Sequence, residues 1–202
     1  MAEKPDADAE PPPRPRSGNL REVAERIEEL TGLRAQIMGG KLVMSPTPRG
    51  KHAGVIRRLR RQLETVGLPD GLDTYEVSSI GLPDDPDDYV TPDLVVLPTE
   101  WEEDDGWLAS AEDAALAVEV ISASEKSREI RDKADWYAVA RVPVFLVIDP
   151  RNGTWALRTR PDKGAYRDAL AGKFGEVVHL PQPLGVDIAT EELPAYGEEQ
   201  RR

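Results

Sequence analysis

Three short apolar runs decide the fold: YVTPDLVVL (residues 89–97), LAVEVIS (116–122) and VFLVIDP (144–150). Short runs rich in β-branched residues and bounded by Pro, Asp or Ser are typical of buried strands. Glu119 lies in the middle of the second run. An isolated buried carboxylate costs several kcal/mol unless it is paired, protonated or bound to a cation. The chain must therefore supply a partner for Glu119.

A helix between the second and third runs carries candidate partners. Ser122 and Glu125 have the spacing of a capping box, which predicts that this helix begins near Ser122. Glu129, Lys133 and Tyr137 follow at intervals of four and share one helix face. Two acidic groups on adjacent strands, with a lysine on the following helix, can bind a divalent cation and place a water beside it.

Each of these residues also has a structural interpretation. Asp93 can cap the strand that it opens, and Glu119 can form an internal ion pair with Lys133 or with an arginine. Lys133 alone can be a solvated helix residue, and Tyr137 fits core packing better than chemistry. Ser122 fits a helix cap better than a nucleophile, because neither histidine is evidently paired with it. Only the set as a whole indicates catalysis.

The composition limits the class of protein. The 202 residues include no cysteine, which excludes a disulfide scaffold, thiolate metal sites and a cysteine nucleophile. No apolar run approaches the length of a membrane span, and the acidic, Pro-rich start does not resemble a signal peptide, so we expect a cytoplasmic protein with no membrane partner. The net charge of -12 argues against a general nucleic-acid coat. It does not exclude a nuclease, because local basic patches and bound cations decide contact with phosphates.

The sequence predicts one domain between two tails. Residues 1–18 are rich in Pro and charge and lack periodicity, so they are expected to be disordered. Residues 19–190 form the predicted domain, and residues 191–202 are expected to be a loose, charged tail. Within the domain, Leu72–Leu82 is interpreted as one strand and the acidic run 84–88 as a solvated loop.

One predicted helix, from about Lys51 to Val66, carries the concentrated positive patch of this acidic chain. An apolar stripe defines one side of the helix, and the other side is basic. A phosphate-contacting face and a solvated face are equally consistent with this pattern. His52, at the start of the helix, fits a surface or capping group better than a ligand. The arginines of the basic face are Arg57, Arg58, Arg60 and Arg61.

The ordered set of motifs resembles the core of the PD-(D/E)XK nuclease superfamily, and more closely its restriction endonuclease branch, the Uma-two family. That family shows a Pro-Asp strand, a Val-Glu-Val strand, a helix with an acid, a lysine and a tyrosine four residues apart, and a strand that ends in Asp-Pro. The resemblance covers roughly Leu20 to Ile188 and includes His52. The matching positions are Met44-Ser45-Pro46, Pro92-Asp93, Val118–Ser122, Glu129, Lys133, Tyr137, Val142-Pro143 and Asp149-Pro150.

This resemblance implies a restriction-endonuclease-like α/β fold with a mixed central sheet flanked by helices. It also implies hydrolysis of DNA phosphodiester bonds with Mg²⁺ or Mn²⁺, and a homodimer that brings two basic faces to one duplex. Asp93 and Glu119 would hold the cation, helped by the Val120 carbonyl. Ile121 stands where the motif has its lysine. The resemblance therefore assigns Lys133, on the helix, to orient the water or stabilise the developing charge.

Two other functions stay open. The fold can serve as a non-catalytic binding or assembly module, which the net acidity and Ile121 favour. The protein can also be a metal-dependent hydrolase of a smaller phosphoester, which suits an acidic chain with few aromatic side chains for base stacking. Binding of Mn²⁺ or Mg²⁺ separates an enzyme from a structural ion pair, and plasmid and small phosphodiester substrates separate the two hydrolases.

Overall fold

The structure, a computed structural model, describes residues 17–45 and 48–197. The predicted tail 1–18 therefore lies outside the described residues except for Ser17 and Gly18, which begin the first helix. The elements are α1 (Ser17–Thr31), β1 (Arg34–Met38), β2 (Lys41–Ser45), α2 (Gly50–Val66), β3 (Leu72–Tyr75), β4 (Ser79–Leu82), β5 (Asp85–Val90), β6 (Leu94–Pro98), a 3₁₀ helix (Thr99–Glu103), β7 (Leu108–Ser110), a second 3₁₀ helix (Ala111–Asp113), β8 (Leu116–Val120), α3 (Ser127–Val139), β9 (Val144–Asp149), β10 (Thr154–Asp162), β11 (Ala165–Lys173), β12 (Val178–His179) and β13 (Asp187–Ile188).

The three apolar runs form adjacent strands of a six-stranded sheet. The strand order is β11-β10-β9-β8-β6-β3. Strands β8 and β9 run parallel, with Val118 opposite Leu146, and the other neighbouring pairs run antiparallel. A parallel pair needs a crossover connection, which α3 provides. The predicted α/β fold with a mixed central sheet is confirmed.

Helices cover both faces of this sheet, which explains why its central strands are apolar on both sides. Side chains alternate between the faces along a strand. Val118 and Val120 pack with α2, whereas Ala117 packs with α3. By the same alternation Glu119 points toward α3, and that direction fixes its partners. Among the described residues, no helix is long and apolar enough to cross a membrane.

A second sheet, of order β2-β1-β5-β4-β7, packs beside the central one and corrects two predictions. The expected single strand Leu72–Leu82 is split between the two sheets, with Val77 at a φ of 62° between the two parts. Residues 85–88 of the expected acidic loop instead form the first part of β5. Asp88 is 6% exposed, and the indole Nε1 of Trp136 compensates this burial by donating a 2.7 Å hydrogen bond to its carboxylate. A charge pattern cannot reveal a partner that is distant in sequence.

Helix α3 begins at Ser127, later than the predicted start near Ser122. The amide of Glu125 donates to the Ser122 carbonyl at 3.2 Å, and the amide of Ser122 donates to the Glu125 carboxylate at 3.2 Å. The two residues of the predicted capping box therefore interact, but they close a turn before the helix. Glu129 lies in the first turn of α3 and accepts from the Lys126 amide at 2.9 Å.

The chain after β13 packs on the domain, in contrast to the loose tail expected from Glu191. Leu193 and Tyr196 are each 6% exposed. The amide of Tyr196 donates to the Pro150 carbonyl at 2.9 Å. These two buried side chains hold the segment on the domain as far as residue 196, while Glu191 and Glu192 stay exposed. Residues 198–202 lie outside the described part of the chain.

Candidate functional site

A cavity of about 1060 Å³ lies where the central sheet, the β1–β2 hairpin and helices α2 and α3 meet. Ligand pockets commonly have volumes of about 300–1,000 Å³. The structure brings six of the predicted site residues to this cavity: Asp93, Glu119, Val120, Lys133 and the further candidates His52 and Glu129. Its walls also include Glu125 and Tyr196.

Asp93 is fixed to strand β8 from both its backbone and its side chain. Its amide donates to the Val118 carbonyl at 3.1 Å, and its Oδ2 accepts from the Val120 amide at 2.8 Å. Its Oδ1 lies 3.0 Å from Nε2 of His52. The side chain is 14% exposed, so one carboxylate surface remains open to the cavity. Asp93 therefore does more than cap its strand, because it links β8 to His52 and lines the cavity.

His52 is buried against Asp93, and its interpretation as a surface or capping group is wrong. The residue lies in the first turn of α2 and is 8% exposed. A carboxylate only accepts hydrogen bonds, so Nε2 of His52 carries the hydrogen shared with Asp93. The opposite ring nitrogen, Nδ1, lies 3.3 Å from the hydroxyl of Tyr196. The sequence signal was the position of His52 on the apolar side of its helix.

Glu119 has the partners that its burial requires. Its side chain is 4% exposed. The Nζ of Lys133 lies 2.7 Å from Oε2, and the hydroxyl of Tyr137 donates to Oε1 at 2.7 Å. Burial raises the pKa of the Glu119 carboxyl, and the charge of Asp93 adds to the rise while Lys133 opposes it. A cation that enters the cavity would favour the ionised form of this carboxyl.

Lys133 lies between two carboxylates. Besides Glu119, its Nζ contacts Oε1 of Glu125 at 3.1 Å. Burial by itself lowers the pKa of the Lys133 amine, but Glu119 and Glu125 outweigh burial and hold that pKa above its ordinary value of 10.5. The ammonium therefore stays charged at neutral pH. Sequence reasoning missed Glu125 because its spacing from Ser122 explained it as a cap.

The two other helix candidates have different roles. Tyr137 is fully buried, and its ring stacks on Phe145 with centroids 4.5 Å apart. It therefore serves core packing and also bonds Glu119. Burial raises the pKa of the Tyr137 hydroxyl, which remains a donor. Glu129 is exposed at the cavity wall and accepts from the Lys126 amide, so it does not join the Glu119 network.

The turn after β9 anchors the loop that carries Glu125. Arg151 forms a bidentate pair with Asp149, with Nε to Oδ1 and Nη2 to Oδ2 both at 2.8 Å. Its Nη1 donates to the Glu125 carbonyl at 2.6 Å. Burial raises the pKa of Asp149, but the bonds from Arg151 outweigh it and the pKa lies below the ordinary carboxyl value. Asp149 of the Asp-Pro motif thus supports the site indirectly, by fixing Arg151 and the loop that carries Glu125.

The predicted basic face of α2 lies apart from the cavity. None of the four arginines of this face is among the described residues that line the cavity. Arg60 pairs with Glu64 at 2.7 Å and with Glu76 at 3.5 Å, while Arg57 and Arg61 are exposed. Besides Lys133, the cations along the cavity are Arg34, Lys41 and Arg49.

Asp93 and Glu119 offer hard oxygen donors that fit Mg²⁺ or Mn²⁺. Each of their carboxylate oxygens accepts one hydrogen bond described above, and each has two lone pairs. Among residues 17–45 and 48–197, no group of three or more His, Cys, Asp or Glu side chains is arranged to hold a metal ion. Two carboxylates are still enough for Mg²⁺, which takes further ligands from water and substrate phosphates.

Comparisons with known proteins agree with this fold. Residues 21–191 match the Uma2 family, described as "Putative restriction endonuclease". A comparison with curated proteins finds no match. A solved structure of a putative nuclease belonging to DUF820, from Anabaena variabilis ATCC 29413, is 15% identical with a TM-score of 0.65, over 81% of this chain and 90% of that chain. The restriction-endonuclease-like fold is therefore confirmed, and the chain belongs to the Uma2 family.

Proposed function

We propose that the protein is a Mg²⁺-dependent endonuclease, active also with Mn²⁺, that hydrolyses phosphodiester bonds in DNA. One observation supports this most. Asp93, Glu119 and Lys133 come from three different elements and converge on one cavity, in a chain of the Uma2 family. Their order along the chain is the order of the motifs that the superfamily uses for this chemistry.

In this proposal Asp93 and Glu119 bind the cation, with the Val120 carbonyl as a further oxygen. A divalent cation held there supplies Lewis acidity to the phosphate and lowers the pKa of a nearby water. The protein orients both carboxylates in advance: His52 and the Val120 amide fix Asp93, while Tyr137 and Lys133 fix Glu119. Such preorganisation spares the reaction the cost of reorienting the ligands.

Lys133 is assigned to the reacting groups. An ammonium has three donors, and Glu119 and Glu125 use two of them. The third is available to orient a water or to stabilise charge that develops on a phosphate oxygen. Because Glu119 and Glu125 keep the amine charged, this donor retains its full strength at neutral pH.

The DNA contacts in this proposal have two sources. The exposed arginines of α2, Arg57 and Arg61, would bind phosphates away from the cut, and Arg34 and Arg49 would bind phosphates beside it. A homodimer would bring two cavities to one duplex. Sedimentation equilibrium tests the dimer, and a species of 22.3 kDa would remove it from the proposal.

A cleavage assay tests the activity. Wild-type protein should nick supercoiled plasmid with Mn²⁺ or Mg²⁺ and stop when the metal is chelated. Asp93→Asn and Glu119→Gln should both be inactive yet melt cooperatively. Glu112→Gln, which changes an exposed carboxylate outside the cavity, should cleave normally. Wild-type rates in either site variant would remove the assignment.

One observation favours a second function, a non-catalytic binding or assembly module. Both carboxylates have protein partners at every oxygen, so the network is satisfied as an internal ion pair. Under this alternative neither plasmid nor a small aryl phosphodiester is hydrolysed, and divalent cations leave the melting temperature unchanged. Hydrolysis of the small ester alone would instead indicate a hydrolase of smaller phosphoesters.

A further inference from the structure

The segment after β13 is part of the wall of the proposed active site. Leu193 packs into the core that α2 shares with the central sheet. The Nζ of Lys51, in the first turn of α2, donates to the Ala195 carbonyl at 2.8 Å. The Tyr196 amide donates to Pro150, which follows β9. These contacts with α2, with the core and with the turn after β9 together set the position of residue 196.

The hydroxyl of Tyr196 meets two groups of the site. It lies 3.0 Å from the carbonyl of Ile121 and 3.3 Å from Nδ1 of His52. Ile121 comes just after Glu119 and Val120 at the end of β8. This one hydroxyl thus joins the histidine of α2 to the strand that carries Glu119.

The contact fixes the plane of the His52 ring. Nε2 of His52 donates to Oδ1 of Asp93 on one side, and Nδ1 meets Tyr196 on the other. Rotation of a ring that is in contact at both nitrogens would break both contacts. The orientation of the Asp93 carboxylate therefore depends on a residue that does not touch it. The family match ends at residue 191, before Tyr196.

We propose that Tyr196 is a positioning residue of the active site, which acts through His52 on Asp93. The inference rests on the proposed function, because it assigns a part to Tyr196 in the same site. Tyr196 touches neither the substrate nor the cation in this scheme. It makes residues 191–197 a functional part of the domain, although their composition is that of a tail.

Tyr196→Phe tests this directly, because it removes one hydroxyl and keeps the ring. The chain offers a matched control in Tyr166→Phe. The Tyr166 hydroxyl also donates to a backbone carbonyl, that of Val142 at 2.8 Å, but it lies outside the cavity lining. Both variants lose a similar hydrogen bond, so their melting temperatures should fall by similar amounts. Only Tyr196→Phe should affect the site.

The expected effects follow from the position of Tyr196, which contacts His52, the partner of the candidate metal ligand Asp93. Loss of a group that hydrogen-bonds a metal ligand directly typically costs about 10- to 100-fold in metal affinity or activity. Tyr196 acts one contact further away, so we expect Tyr196→Phe to weaken Mn²⁺ binding and lower kcat for plasmid nicking by about 10-fold, the lower end of that range, with KM for plasmid unchanged. Tyr166→Phe should match the wild type in all three quantities.

Nuclear magnetic resonance gives a readout that does not need activity. The chain has two histidines, and the second, His179, is exposed and paired with Asp187. The ring ¹⁵N signals of His52 should move in Tyr196→Phe, while those of His179 stay in place and serve as the reference. Tyr166→Phe should leave both sets unchanged.

The outcomes separate this inference from the proposed function. Wild-type kcat, Mn²⁺ affinity and His52 signals in Tyr196→Phe would overturn the inference and leave the nuclease proposal standing. A wild-type protein without nuclease activity would overturn the nuclease proposal. In that case, shifted His52 signals and weaker Mn²⁺ binding in Tyr196→Phe would still support a positioning role for Tyr196. Equal effects of Tyr166→Phe and Tyr196→Phe would also overturn the inference.

Discussion

Replacing Lys133 by methionine separates its catalytic role from its structural one. The substitution keeps the aliphatic length of the side chain and removes the ammonium that contacts Glu119 at 2.7 Å and Glu125 at 3.1 Å. Both carboxylates are at most 10% exposed at the side chain, so they lose their counter-ion without gaining water. The variant therefore changes the charge of the site and the stability of the fold together.

The stability cost can be estimated from the burial of the pair. Removing one partner of a buried ion pair costs about 3–5 kcal/mol. For a domain of this size, 1 kcal/mol shifts the melting temperature by about 2–4 °C, so the melting temperature should fall by about 6–20 °C. The cleavage rate should fall by about 10²- to 10³-fold, as for the loss of one preorganised donor.

A second substitution makes the two effects distinguishable. Glu125→Gln removes one of the two carboxylates and keeps an oxygen for the Ser122 amide. The double variant, Lys133→Met with Glu125→Gln, leaves one carboxylate fewer without a counter-ion. Its free energy of unfolding should therefore exceed the value expected from the sum of the two single effects by a coupling energy of about 0.5–3 kcal/mol. The cleavage rate should stay low, because the ammonium is still absent.

The wild type, the two single variants and the double variant form a double-mutant cycle. Calorimetric melting and plasmid nicking are measured for all four proteins, with Lys173→Met as the control at an exposed lysine. The catalytic role would be refuted if the Lys133→Met variant melted at a much lower temperature but cleaved at the wild-type rate. Lys133 would then be the counter-ion of Glu119 and nothing more. Recovery of the rate in the double variant would lead to the same conclusion.

Three further changes test other parts of the structure. Arg57→Ala combined with Arg61→Ala should reduce the slope of log affinity for DNA against log salt by about 1.8, and an unchanged slope would make the α2 face a solvated surface. Asp149→Asn should destabilise the protein above the ordinary carboxyl pKa of 3.8, and its difference from the wild type in denaturant titrations should vanish as the pH falls through the lower pKa of the folded state. Deleting residues 191–202 removes the buried side chains of Leu193 and Tyr196 and should lower the free energy of unfolding by about 1.5–3 kcal/mol for each. Deleting residues 198–202 should leave the melting temperature unchanged.

Local patterns predicted the centre of the site because it is built from periodic elements. Glu119 stood in an apolar strand and required a partner, and the four-residue spacing of Lys133 and Tyr137 placed both on one helix face. The structure joins these three residues directly. The strand period and the helix period were sufficient to predict these contacts, because the element that carries each residue decides the face on which its side chain lies.

The remaining contacts depend on residues that are far apart in the sequence. His52 and Tyr196 are 144 residues apart in the sequence, and they meet only after the sheet forms. Asp88 stood in an acidic run that resembles a solvated loop, and its hydrogen-bond partner Trp136 lies 48 residues further along the chain. Glu125 had a sufficient local explanation as a cap, which hid its contact with Lys133.

Titration calorimetry with Mn²⁺ tests the central claim, that Asp93 and Glu119 form a cation site, without requiring the substrate. The wild-type protein should give a saturable binding heat, which should be absent from Asp93→Asn and from Glu119→Gln while both variants remain folded. Glu112→Gln should bind as the wild type does. Failure of the folded wild-type protein to bind Mn²⁺ or Mg²⁺, or unchanged binding by either site variant, would contradict the claim.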